Sequence, residues 1–413
     1  MCVISSQRTF SDGIIEGSVK PLDDLTVVDF TQSIAGPVCT QLLAEMGATV
    51  LKVEPPSGDS FRNLMNGNMF ASFNHGKQSL CVNIKTDAGL SIVTKLVDEA
   101  DVIVESFRPG VLEKYDLDYE SVTTRNEDVV YCSLSGFGHT GPYQSYPGYD
   151  PSIQAVSGLM ATTGYSDRPP VRIRASLIDC GTGANAAFAI LAAVRHRDRS
   201  GDGTHIDISL FDVAISWMSY WITNYDQTGE LPERAGGKGI GSAPNGVFPT
   251  ADGHIYVATL SEMMYERLCT VLDRTDLLEE DRFQTIDDRM DHREALRDEL
   301  IPEFTGFTST ELEQKLLEAQ IPAGAVRTVR DLVENDEHVE ARSMIVDSYN
   351  PEVDEQVLTA SLPFHFNSGI HDGQFSSRPP KKGEHTDHIL EALLYSKNEI
   401  EQFYENDAVI SSS

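Results

Sequence analysis

Short runs of β-branched and apolar residues alternate along this chain with longer stretches whose apolar positions recur at helical spacing. Val27–Phe30, Thr49–Val53, Val102–Val104, Val129–Leu134 and His205–Ser209 read as strands. Helices are expected near Thr40–Met46, over Leu90–Ala100 and Ala184–Val194, and after Ser209 through Trp217 and Trp221. Strands alternating with helices predict an α/β protein with a parallel sheet. Beyond Trp221 the pattern changes. Gly229 and Pro232 lead into a glycine-rich run, Gly236–Gly241, and then Ile255–Ala258 and several acidic helices to about Val333 form a smaller unit. The chain returns through a Pro/Gly-rich stretch, Pro363 to Gly383, to a last amphipathic helix near Asp387–Leu394. Residues 1–20 read as a disordered polar arm. The expected domains are therefore 21–225 with 340–413, and a small one at 226–339 that includes its linkers. There is no internal repeat.

Composition narrows the class. The 413 residues carry 64 acids against 32 bases, a net charge of -32. Phosphate contacts need a basic face, so no nucleic-acid partner is expected. The acids are spread along the chain, and only 11 of the bases are lysine. Such self-repulsion is tolerable where salt screens charge within a few ångströms, which points to a halophile; an ordinary acidic enzyme is the alternative. Six scattered cysteines without a C-x-x-C pair suit a reducing cytoplasm and offer no metal site. The first twenty residues have no signal-peptide pattern, and no stretch is expected to reach membrane-spanning length.

The segment Tyr146–Gly183 carries the most chemistry. A turn-rich entry leads through Thr163-Gly164 and Pro169-Pro170 to a strand-like run, Val171–Ile178, that stops at Asp179. Gly181 and Gly183 follow, and then an apolar helix. An acid between strand and helix is either the helix N-cap or a carboxylate held beside an anion-binding helix start. Arg172 and Arg174 alternate, so on a strand they share one face. Cys180 adjoins the acid, but a small buried residue is its expected role.

These motifs resemble the class III CoA-transferases, a family that includes formyl-CoA transferase, carnitine CoA-transferase and alpha-methylacyl-CoA racemase. The resemblance rests on Val27–Thr31 with Ala35-Gly36-Pro37, Leu42–Pro56, Phe73–Leu80, Asp101–Gly110, the Tyr146–Gly183 segment, and Gly383–Thr386 with Ile389-Leu390. It covers roughly residues 20–410. It implies a Rossmann-like large domain, a smaller inserted domain and an interlocked homodimer. It also implies an enzyme with coenzyme A thioesters as substrates and no permanently bound cofactor. Asp179 matches the family's nucleophile. Gly237 and Gly239 fall in a loop resembling the one that closes over the site; it is not a Walker loop, since no Lys-Ser/Thr ends it. By motif position Gln32, Ser33, Ile34, Ala35, Val82, Lys85, Ser106, Phe107 and Lys114 line the CoA site, with Lys85 and Lys114 as phosphate partners.

Departures within the family narrow the reaction. Ile34 and Ser135 stand where formyl-CoA transferase has a glutamine and a lysine, which argues against formyl or oxalyl transfer. Where racemases are expected to have a His-Asp pair, this chain has Tyr149-Asp150. A tyrosine of ordinary pKa is a poor proton shuttle near neutrality, which favours transfer over racemisation. A non-catalytic acyl-CoA sensor would have no need of the acid at 179. Arg174 could grip a second carboxylate as a bidentate pair. The specific expectation is transfer from succinyl-CoA to a C4–C5 dicarboxylate such as mesaconate.

Overall fold

In the computed structural model, which describes residues 20–367, 370–371 and 373–411, six strands form one parallel sheet. They are β1 (Thr26–Asp29), β2 (Thr49–Glu54), β3 (Lys77–Cys81), β4 (Val102–Glu105), β5 (Val130–Ser135) and β6 (Thr204–Ser209), in the order β3-β2-β1-β4-β5-β6. This is the doubly wound Rossmann order, which reverses direction between β1 and β4. The expected α/β class with a parallel sheet therefore holds. The polar arm expected at 1–20 lies, apart from Lys20, outside the described residues.

A parallel sheet must be covered on both faces, and its strands accordingly read as near-continuous apolar runs. One face buries Val28, Leu51, Ile103 and Tyr131 against Ile92, Val93 and Leu96 of α2 (Asp87–Asp98). The other buries Val27, Val50, Val102 and Cys132 against α1 (Ala35–Glu45) and α4 (Leu177–Ser200). Between α2 and α4 in sequence comes the short α3 (Asp150–Val156). Gly183 sets the crossing of α1 and α4: a Cβ there would lie 2.4 Å from the Ala35 carbonyl oxygen. Two further helices, α5 (Leu210–Trp217) and α6 (Ser219–Thr228), meet at Met218, so the single helix expected through Trp217 and Trp221 is broken there. The helix expected near Asp387–Leu394 is Thr386–Ala392, and it is not the last; Lys397–Glu405 follows it.

Two expectations fail at α4. Residues 171–176 form no strand: the Ile173 N–H donates to the Gln154 side chain (2.9 Å), so no ladder bond forms there. Helix α4 begins at Leu177 with Ser176 as N-cap. Asp179 therefore lies inside the first turn; it is neither a strand end nor the cap. The second correction concerns length. Leu177–Ser200 is long and apolar enough to cross a membrane by composition, contrary to expectation. Ala186, Ala187, Ile190, Ala193 and Val194 nevertheless pack it into the core.

The described chain divides into two compact units. The first comprises residues up to Leu159, Arg172–Glu230 and those from Glu340 on; the second comprises Met160–Val171 and Leu231–Val339. The second has its own antiparallel sheet of β7 (Asn245–Pro249), β8 (His254–Ala258) and β9 (Ala323–Ala325). Phe248, Ile255, Leu268, Phe304 and Leu312 form its core.

Candidate active site

In an open doubly wound sheet, ligands bind beyond the carboxyl ends of the strands where the order reverses. Here that point lies between the loops after β1 and β4. A cleft of about 240 Å³ opens there, lined by Gln32, Ser33, Ala35, Ser106, Phe107, Arg108, Ser135, Tyr149 and Asp179 among others. The Gln32 N–H donates to Ser106 Oγ (3.1 Å) and ties the two loops together. The β1 loop is held from below by buried charge. The Asp29 carboxylate accepts from the Thr31 N–H (2.8 Å) and Thr40 Oγ1 (2.7 Å) and pairs with Lys77 (3.2 Å). Lys52 donates to the Thr31 carbonyl (2.9 Å) and pairs with Asp59. Burial alone would raise Asp29; the Lys77 and Lys52 charges and the Thr31 and Thr40 hydrogen bonds together more than offset it and hold the carboxyl below its ordinary value.

Asp179 supplies the one carboxylate, and Arg108 the one cation, among the described lining residues. Helix N–H groups usually stabilise an acid in a first turn. Here another acid has taken them. Asp150, buried at the start of α3, accepts the N–H groups of Ile178 (2.7 Å) and Asp179 (3.3 Å), and Gln154 fixes its other oxygen (2.6 Å). Burial, and then the charge of Asp150, push the Asp179 carboxyl up to about 7. A carboxylate of raised pKa is more basic and a better nucleophile once ionised. The neighbouring Cys180 thiol is raised by burial and by Asp179, which disfavours the thiolate.

The other expected positions divide. Gln32, Ser33, Ala35, Ser106, Phe107, Tyr149 and Asp179 meet in the cleft, whereas Ile34 is buried behind it at the start of α1. Val82 is buried, Lys85 and Lys114 are exposed, and none of the three belongs to the cleft lining. Arg174 is exposed on the irregular segment and makes no ion pair among the described residues. The shared-face argument for Arg172 and Arg174 falls with the strand. Gly237 and Gly239 lie in the second unit. There the Gly239 N–H is bound to the Asn245 carbonyl (2.8 Å) and its own carbonyl accepts from Arg293 (2.8 Å). A Cβ at Gly239 would come within 2.0 Å of Asn245 Oδ1.

Arg108 and Asp150 are the candidate positions that sequence reasoning passed over. Arg108 lies in the motif Ser106-Phe107-Arg108-Pro109, and a cation in so acidic a chain is the available signal. Asp150 was weighed solely as half of a proton-shuttle pair. Its carboxylate is instead committed to backbone N–H groups 28 and 29 residues away.

A switch-point cleft with one carboxylate, one arginine and hydroxyl-bearing loops defines a doubly wound α/β protein of the kind that handles acids at the sheet's carboxyl edge. The model of CoA-transferase family III matches residues 22–386, and the chain belongs to that family and is an enzyme of its class. It is similar to the succinyl-CoA:mesaconate CoA-transferase of Haloarcula marismortui, at 37% identity over 384 residues, 90% of this chain and 96% of the relative. It is also similar to the succinate–glutarate CoA-transferase of Agrobacterium fabrum, at 33% identity over 393 residues, 90% and 96% of the two chains. Among solved structures, a CAIB/BAIF family protein from Brucella suis superposes with a TM-score of 0.83 at 35% identity, covering 91% of this chain and 99% of that one.

Proposed function

We propose that the enzyme moves CoA from succinyl-CoA to a C4–C5 dicarboxylate such as mesaconate through covalent intermediates on Asp179. The observation that carries this reading is the carboxylate of Asp179, half-buried in the cleft wall beside the Gln32–Ser33 and Ser106–Pro109 loops. Its oxygen attacks the thioester carbonyl; the C–S bond breaks, and a mixed anhydride and CoA thiolate result. The thiolate then attacks the aspartyl carbonyl, releasing succinate and leaving an aspartyl-CoA thioester. The acceptor carboxylate attacks that thioester to give a second anhydride and thiolate. Attack of the thiolate on the acceptor's acyl carbon yields the new thioester and restores Asp179. The choice of acids draws on relatives named for succinyl-CoA and for mesaconate, glutarate or D-citramalate. A panel of acyl-CoA donors crossed with short mono- and dicarboxylates, assayed at high salt, tests it. Exchange confined to monocarboxylates would remove the dicarboxylate assignment.

Arg108 takes over the role that sequence alone gave to Arg174, because it lines the cleft and Arg174 does not. Losing a charge-assisted bond costs roughly 1.5–3 kcal/mol. Arg108→Ala is therefore expected to lower the preference for succinate over butyrate on the order of tenfold to a hundredfold. Arg174→Ala should leave that ratio unchanged. The reverse pattern in kcat/KM would return the role to Arg174.

We also propose a homodimer working in a salty cytoplasm. Helix α6 has no buried residue although it carries Tyr220, Ile222 and Tyr225, and Phe188 on α4 is 74% exposed. Apolar faces of this kind need a covering partner. A subunit mass by light scattering in multimolar KCl would contradict the dimer. With a charge of -32, unfolding temperature should rise steeply with KCl as screening relieves self-repulsion. A flat or falling midpoint would remove the halophile reading. The cytoplasmic placement rests on the scattered cysteines of the sequence; recovery in the secreted fraction would contradict it.

A further inference from the structure

Behind the cleft, on the far side of the Ser106–Pro109 loop, lies a second cavity of about 150 Å³. Arg108 and Pro109 line both cavities. The loop is thus a wall with space on either side, and packing alone does not fix its position. Hydrogen bonds from two directions do. On the cleft side, Ser106 Oγ accepts the Gln32 N–H. On the other, the carboxylate of Glu105, the last residue of β4, accepts the Phe107 N–H (2.7 Å).

Glu105 is 3% exposed and has no lysine or arginine partner among the described residues. It belongs instead to a polar cluster at the ends of β4, β5 and β6. The Ser133 hydroxyl donates to it. Ser133 Oγ also meets His205 Nε2 at 3.0 Å; when the Ser133 proton is given to the carboxylate, the imidazole is the donor. His139 Nε2 faces Glu105 Oε1 at 3.7 Å and is buried without a hydrogen-bond partner. Asp207, on β6, accepts the His139 backbone N–H. Tyr119 stacks on His205 at 4.8 Å, and Tyr131, Asp118, Glu120 and Arg108 complete the surround.

We propose that Glu105 is a positioning residue for acyl-CoA: its charge, shared with the Ser133–His205 and His139 contacts, sets how firmly the Ser106–Pro109 wall is held and hence how tightly the thioester binds. An ionised carboxylate holds the Phe107 N–H by a charge-assisted bond about twice as strong as the neutral one. Burial, with Asp207 adding to it, pushes Glu105 up to about 7, so the charge changes near neutrality. The sign follows: binding is tight above that pH and weakens as pH falls through it. Nothing in the covalent chemistry uses this group, so the effect belongs to affinity and not to turnover.

The inference rests on the acyl-CoA reading of the cleft but not on Asp179 as nucleophile, and the test keeps the two apart. CoA and succinyl-CoA binding are measured by calorimetry in an Asp179→Ala background, which removes both turnover and the titration of Asp179. That background protein is expected to bind both ligands, with affinity declining between about pH 8 and about pH 6 around the carboxyl pKa. Adding Glu105→Gln should weaken binding about tenfold at the alkaline end and flatten the pH profile. Adding Ser133→Ala, which removes a donor to the carboxylate, should move the midpoint to higher pH without flattening the profile. Binding by the Glu105→Gln protein that matches the background at every pH overturns the proposal and leaves the transferase reading standing. A Ser133→Ala midpoint that stays fixed or moves down also overturns it. No CoA binding by the background protein would overturn the acyl-CoA reading, and this proposal with it.

Discussion

Asp179→Ala is expected to abolish CoA transfer, by roughly a thousandfold or more, while leaving the fold and CoA binding in place. The residue sits in the first turn of α4 and its side chain is half-buried. Its backbone N–H bonds to Asp150, but among the described residues no group donates to its carboxylate. Removing that side chain costs no structural hydrogen bond and opens little core. The expected loss is therefore one of chemistry: on the proposed route both the donor's acyl group and CoA pass through the Asp179 carboxylate, and the variant has no group to carry them. Hydroxylamine added during turnover should leave a hydroxamate on Asp179 in the parent, through attack on the aspartyl thioester, and none in the variant. Transfer by Asp179→Ala near the parental rate, or a parent that turns over and stays unmodified, would exclude the covalent role.

The second large effect is in pH dependence. On the proposed covalent route Asp179 must be ionised to attack, and its carboxyl is raised to about 7 by burial and by Asp150. Turnover should thus fall as pH drops through neutrality, with an acid limb well above the usual carboxylate range. Asp150→Asn keeps an oxygen for the N–H groups of Ile178 and Asp179 but removes the like charge. The limb should then move to lower pH by about one unit or more. Reading it in kcat at saturating acyl-CoA separates it from the titration of Glu105, which acts on binding. A limb that stays in place would show that Asp150 serves α4 as a cap and nothing else. Tight helix capping is itself worth about 1 kcal/mol, so a modest loss of stability is expected in either case.

Much of this architecture was visible in the chain, and the parts that were not have physical causes. β1, β2, β4 and β5 are runs rich in β-branched and apolar residues buried on both faces, and β6, at the sheet edge, turns only Ile206 and Ile208 to the core; local pattern reveals both. β3 begins Lys77-Gln78-Ser79, and its lysine is fully buried against Asp29. A strand that buries a charge in a pair looks like a loop to any rule based on hydrophobicity. Residues 171–176 failed the other way. Their alternation suits a strand, but their N–H groups had no neighbouring strand to meet, and Gln154 intervened. Gly181 and Gly183 read as a break before a helix because glycine costs about 1 kcal/mol inside one. Within α4 they are packing positions, where Trp217 and Ala35 come too close for a Cβ. Asp179 as candidate nucleophile came from resemblance, and the structure places it in the cleft wall. The approach of Asp150 to the start of α4 was not legible, since that contact spans 28 residues and depends on where α3 docks.

The buried charges beneath the β1 loop imply a division between two kinds of electrostatics in one molecule. Lys52, Lys77 and Asp29 are shielded from water, so dissolved ions hardly reach them, whereas the acids spread over the surface feel every change in ionic strength. The floor of the cleft is thereby insulated from changes in the surrounding salt. As salt is withdrawn, the molecule should lose its margin against unfolding while the surviving folded fraction keeps the same cleft geometry. Varying the salt should therefore change how many molecules are folded far more than how each folded molecule works.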